Sequence, residues 1–264
     1  MSTHNRSHEE NHHEQVGVQP DNNEDDANKK RQRRERGKRE ITEIVWSAKK
    51  MILEKNYIEA NDRVHRKMME LTKNQNNVFD EDSIELLPAY FVLAVANIMM
   101  GGDKRKKAED YLISAFWNLL KSGADDGDRA TQEETLVTDK EKDLYRAELH
   151  KTFGRLNLAN NNTADALKEL SNGAYKECLE YGPESIQVTS SYYYMGRVFI
   201  QKEELENAKS FYLKIIEIWK SFILEVDLRD LENYDSKSQD ELYYLEARDQ
   251  VQDILLFFEN ELGP

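Results

Sequence analysis

His8-Glu9-Glu10-Asn11-His12 matches the H-E-x-x-H spacing, which on a helix would set two imidazoles on one face for zinc and leave the glutamate as a general base. That chemistry also needs a stable helix, a third ligand and a cleft. The stretch around it is polar and offers only His4 and His13 as further ligands, so a loose surface metal site is the most it supports, and no zinc or other cofactor is expected. Cys178 is the only cysteine, which excludes an intramolecular disulfide and a cysteine-rich zinc module and points to a reducing compartment. It lies beside Leu179 on a helical stretch and reads as a small buried residue. Asp125 and Asp126 fall in a Gly-Asp-rich stretch and read as solvated charge. Asn161-Asn162-Thr163 fits a glycosylation sequon but reads as a turn, with Thr163 capping the following helix.

The elements behind these residues follow from composition. With 37 basic and 51 acidic residues the chain carries a net charge of −14, which disfavours general nucleic-acid binding. Eleven glycines and four prolines in 264 residues are too few for the turns of a many-stranded barrel or sandwich, so an all-α fold is expected. Met1 to Glu14 has no apolar core of the kind a signal peptide needs. The run from Leu86 to Gly102 is uncharged but broken by Pro88 and Asn97. It falls short of the roughly 20 residues that cross a bilayer and reads as a helix buried on most sides.

Charge marks the first boundary. Residues 1–40 contain four apolar side chains, Met1, Val16, Val18 and Ala27, and their nine basic and nine acidic residues cancel. Such a segment cannot offset its ordering entropy by burial, so a disordered charged tail is expected over 1–40. Within it Lys29, Lys30, Arg31, Arg33, Arg34, Arg36, Lys38 and Arg39 form a basic block. It is either a solvated extension of the first helix or an electrostatic arm for an anionic partner, such as an acidic protein tail, nucleic acid or the import machinery.

From Ile41 apolar residues recur at helical spacing, and the pattern repeats. Tyr192, Met195, Gly196 and Phe199, a polar turn, then Ala208 and Tyr212 specify two closely packed helices; the Tyr192 to Tyr194 run reads as core and groove packing. Gly154, Ala166 and Leu170 take the same places one unit earlier, with Ala96, Ala108, Leu112 and Ala115 before them and Ala48, Tyr57, Ala60 and Val64 first. Four units over 41–225 are expected, interrupted by an exposed acidic loop at 122–143 and a stop at Gly182-Pro183. An acidic linker and a last helix, about Asp240 to Leu262, would cap the open end over 226–264.

These small, aromatic and alanine positions resemble the tetratricopeptide repeat (TPR) family, in the longer-repeat form seen in kinesin light chains. Residues 84–225, through Ala89-Tyr90-Phe91-Val92-Leu93-Ala94, Ala96-Asn97-Ile98, Ala108-Glu109-Asp110-Tyr111-Leu112, Ala115, Trp117, Leu120-Lys121 and Ile215 to Trp219, resemble more narrowly the TPR part of the zinc finger MYND domain-containing protein 12 family. That family is axonemal and associated with inner-arm dynein. The zinc finger itself has no counterpart in a chain with one cysteine. The resemblance implies a TPR-type helical-hairpin solenoid without catalytic residues, in the cytoplasm, cytoskeleton and ciliary axoneme. Its partners would be other proteins, axonemal or dynein-arm subunits, with tubulin contact through the basic arm and no membrane. It also implies a concave groove displaying Tyr90, Leu93, Asn97, Lys151, Arg155, Tyr193, Arg197 and Gln201. The cations there either grip an acidic partner segment, as in a soluble adaptor or co-chaperone binding an acidic peptide tail, or pair with neighbouring Asp and Glu.

Overall fold

In a computed structural model, which describes residues 22–73, 77–122, 136–225 and 239–262, the recurring small residues are the points where helices touch. Nine α-helices are found among the described residues: α1 (Asn22–Leu53), α2 (Tyr57–Lys73), α3 (Leu87–Met100), α4 (Lys104–Lys121), α5 (Asp139–Ala159), α6 (Thr163–Tyr181), α7 (Thr189–Gln201), α8 (Leu205–Glu225) and α9 (Gln239–Leu262). No strand occurs among those residues, and none of these helices is long and apolar enough to cross a membrane. The first eight pack as four neighbouring pairs, and further contacts join each pair to the next.

One spacing governs all four pairs. A small residue, an alanine twelve positions on and a bulkier residue sixteen positions on are buried together as Ala48/Ala60/Val64, Ala96/Ala108/Leu112, Gly154/Ala166/Leu170 and Gly196/Ala208/Tyr212. A Cβ added at Gly154 would lie 2.5 Å from Cγ of Leu170, and one at Gly196 would lie 2.5 Å from Cε1 of Tyr212. Where the small residue is alanine, the partner is an aliphatic Val or Leu; the largest partner, Tyr212, faces a glycine. The turns repeat as well. Asn56, Asn162 and Glu204 donate their backbone N–H groups to Met51, Asn157 and Phe199 at 2.8, 2.8 and 2.9 Å, and each follows a residue in the left-handed region, Lys55, Asn161 or Glu203. The α3–α4 turn instead uses Gly101 and Gly102.

Three expectations change. Residues 22–40 are not a tail: α1 begins at Asn22, and only 1–21 of the expected tail lie outside the described residues. Arg34 is buried against Glu85 at 2.8 Å, Lys38 reaches Glu141 at 2.8 Å and the carbonyl of Leu136 at 2.7 Å, and Gly37 lies against Val78 and Phe79. Arg31 with Glu35 and Arg36 with Glu40 add pairs one turn apart. The segment is ordered through ion pairs and a glycine contact, which a count of apolar residues does not register. The loop expected at 122–143 also does not extend over its last residues. Val137 is buried, Thr138 and Glu141 form a capping box, and α5 starts at Asp139, while the stretch 123–135 lies outside the described residues. Finally, α9 does not simply cover the outer end of the last pair. It packs on α1 as well as α7, and its acids accept hydrogen bonds from Ser190 and Tyr193 of α7. Two smaller points differ: Asn162, not Thr163, is the N-cap of α6, and Cys178 is half-buried with its Sγ 3.5 Å from the Tyr192 hydroxyl.

Candidate functional site

Helices α1, α3, α5, α7 and α9 line a partly open cavity of about 640 Å³. Its walls differ in character. Val92, Val95 and Met99 of α3 make an apolar side; α5, α7 and α9 supply charges and rings. Helix α3 can be this apolar because ten of its fourteen residues are buried among α1, α2, α4 and α5.

The ionic wall is built around Lys151. Its Nζ lies 2.7 Å from Glu148 and 2.9 Å from Glu177, and the other oxygen of Glu177 accepts from Ser191 at 2.6 Å. Glu148 and Lys151 are three apart on α5 and so share a face, while Glu177 arrives from α6. Burial disfavours the charged form of Glu148, yet Lys151, Lys49 and Arg155 outweigh it and hold the carboxyl down to about 2. Burial likewise opposes the charge of Lys151, and Glu148, Glu177 and Glu246 together raise its pKa well above the ordinary lysine value. Near neutral pH both are fixed charges.

The second cluster joins α7 to α9. Burial, reinforced by a hydrogen bond donated to Asp253, raises the Tyr193 pKa and keeps the phenol neutral. Ser190 donates to Glu246 at 2.6 Å, and Nε2 of Gln250 donates to the same oxygen at 3.1 Å. The guanidinium carbon of Arg155 stands 4.5 Å from the centre of the Tyr194 ring, and that of Arg197 stands 5.9 Å from Tyr193. Arrays of fixed charge, hydroxyls and aromatic faces suit recognition of another polar, charged segment.

Of the eight groove residues expected from repeat position, Lys151, Arg155, Tyr193 and Arg197 line this cavity, and Tyr90, Leu93, Asn97 and Gln201 do not. Leu93 is fully buried in the core shared with α1 and α2. Asn97 donates to Asn61 of α2 at 2.8 Å and to the Leu93 carbonyl at 2.7 Å. Tyr90 donates to the Glu81 carbonyl and packs on Tyr111, and Gln201 bonds Asn161 in the preceding turn. Positions that open inward on α5 and α7 are covered by α2 on α3. Sequence reasoning missed Glu148, Glu177, Glu246 and Asp253, and took Tyr194 only as part of a run in core and groove packing. The spacing of Glu148 to Lys151 was a readable signal; which face of the last helix turned inward was not.

Of the basic block, Arg34 and Lys38 are used within the fold, whereas Lys29, Lys30, Arg31, Arg33, Arg36 and Arg39 have exposed side chains on α1. His8 to His12 lie outside the described residues, among which no cluster of three or more metal-ligating side chains occurs. No known family model matches the chain.

Proposed function

We propose that the protein is a non-catalytic protein–protein interaction scaffold, a TPR-type solenoid that binds through its concave face. The observation that carries this reading is the small/alanine/bulky spacing, buried in all four helix pairs, because stacked identical hairpins leave one continuous inner surface for a partner. The resemblance of residues 84–225 makes a ciliary, dynein-associated subunit the leading assignment. The exposed cations of α1 would then face an acidic surface such as tubulin.

A second reading, a soluble adaptor for acidic peptides, draws on the convergence of Lys151, Arg155 and Arg197 in one cavity. Native capture of the tagged protein from its own cells, followed by mass spectrometry of salt-resistant partners, separates the two. Dynein heavy chains or other axonemal subunits are expected. Recovery of chaperones or soluble cargo alone would overturn the axonemal assignment in favour of the adaptor, and recovery of no protein at all would remove the scaffold reading.

A further inference from the structure

We infer that the concave face is a receptor for an acidic amphipathic helix and that α9 is its resident, exchangeable occupant. The inference rests on the scaffold reading and names the partner chemistry for it.

The face that α9 turns inward carries Leu242, Glu246, Gln250, Asp253, Ile254 and Phe257, spaced by three and four so that they share one side of the helix. Leu242, Gln250 and Ile254 are buried, and Phe257 meets Tyr212 edge-on at 5.1 Å. Between these apolar contacts the ligands of the receptor are hydroxyls and cations. Ser190 and Tyr193 donate to Glu246 and Asp253, and the fields of Lys151 and Arg197 act on the same two carboxylates. Acids at the places of Glu246 and Asp253, flanked by aliphatic and aromatic residues, are therefore the pattern that this surface selects. It is the acidic segment for which Lys151, Arg155 and Arg197 are suited, supplied by the chain itself.

Three features make the seat exchangeable. A cavity of about 640 Å³ remains between α9 and the opposite wall, so complementarity is incomplete. The Oε1 atom of Gln250 is buried with no hydrogen-bond partner among the described residues, which weakens the resident against a ligand placing a better-matched group there. Half of the inward face is polar, so water and competing ions can substitute for contacts that an apolar seam would forbid. A partner helix with the same pattern would enter by displacing α9, and its apparent affinity would scale with the fraction of molecules whose groove is open.

The test uses the full-length chain and a fluorescent synthetic peptide of residues 239–262 added in trans. Wild type, with its groove filled, is expected to bind the peptide weakly. The E246K/D253K chain, whose own helix is repelled, is expected to bind it about tenfold tighter, with affinity falling as salt rises. Adding Arg197→Ala to that chain, or using a peptide that carries the same two lysines, should abolish the gain. Equal affinity of wild type and E246K/D253K would overturn the inference. If circular dichroism shows that E246K/D253K does not fold, the E246Q/D253N chain makes the same comparison with a smaller gain, about threefold, and no gain there is equally decisive. Tight peptide binding with no protein recovered from cells would leave the receptor standing and remove the scaffold reading. A cellular partner that binds wild type and variant alike would do the reverse.

Discussion

The interfaces inside the helix pairs and the seam beneath α9 are both made by helices, yet they are held by different forces. Where the helices of a pair approach most closely, contact is a matter of volume: Gly154 admits Leu170 and Gly196 admits Tyr212. Beneath α9 the apolar contacts of Ile254 and Phe257 are joined by Ser190 with Glu246, Tyr193 with Asp253, and charge acting across a partly empty space. Close packing gives one geometry and resists substitution, whereas a polar seam tolerates exchange of its partner. The architecture is thus fixed by the first kind of interface and the binding behaviour by the second.

Substitutions that separate the two kinds should rank accordingly. Tyr212→Ala removes the bulky residue of the fourth pair and should cost about 4 kcal/mol of unfolding free energy in urea titrations; a loss below about 1 kcal/mol would mean the pair is not the stabilising unit. Gly196→Ala puts a methyl group where Tyr212 already sits and should cost about 2 kcal/mol. At the ionic wall the effect depends on pH. The stabilisation due to Glu148 is complete above its ordinary value of 4.5 and is lost as pH falls towards about 2. Urea midpoints should therefore drop over that interval in wild type and drop less in Glu148→Gln. Ser190→Ala should lower global stability by about 1 kcal/mol or less while hastening amide exchange in α9 more than in α5 to α8; uniform acceleration would contradict the contrast. Smallest is a gain: Glu203→Gly relieves a left-handed residue and should add about 0.5 kcal/mol, read from the thermal midpoint.

The packing of pairs was legible in the sequence because it is written in side-chain size. Gly196 and Tyr212, or Gly154 and Leu170, can be recognised without knowing what surrounds them, and the first pair was fainter only because Ala48 and Val64 differ less in volume. The inner surface was legible on α5 and α7 and not on α3. Leu93 and Asn97 stand where Lys151 and Arg155 stand relative to the small residue, but α2 lies over them, and that depends on neighbours far along the chain. Residues 22–40 were hidden for a related reason. Arg34 and Lys38 find their acids at Glu85 and Glu141, and no local window contains both members of either pair. The inward turn of α9 is of the same type, since its amphipathic pattern permits two orientations and only the groups on α1 and α7 choose between them.

That reach of α1 along the chain has a consequence for biosynthesis. Glu85 follows Arg34 by 51 residues and Glu141 follows Lys38 by 103. At roughly 5–20 residues per second of translation, Lys38 leaves the ribosome about 5–20 s before the carboxylate that will hold it has been made. During that interval α1 is a cationic helix beside a surface rich in phosphate, and α9, made after the helices it rests on, docks only once they are in place. The timing of synthesis thus sets an order of assembly in which the groove exists before its resident helix does.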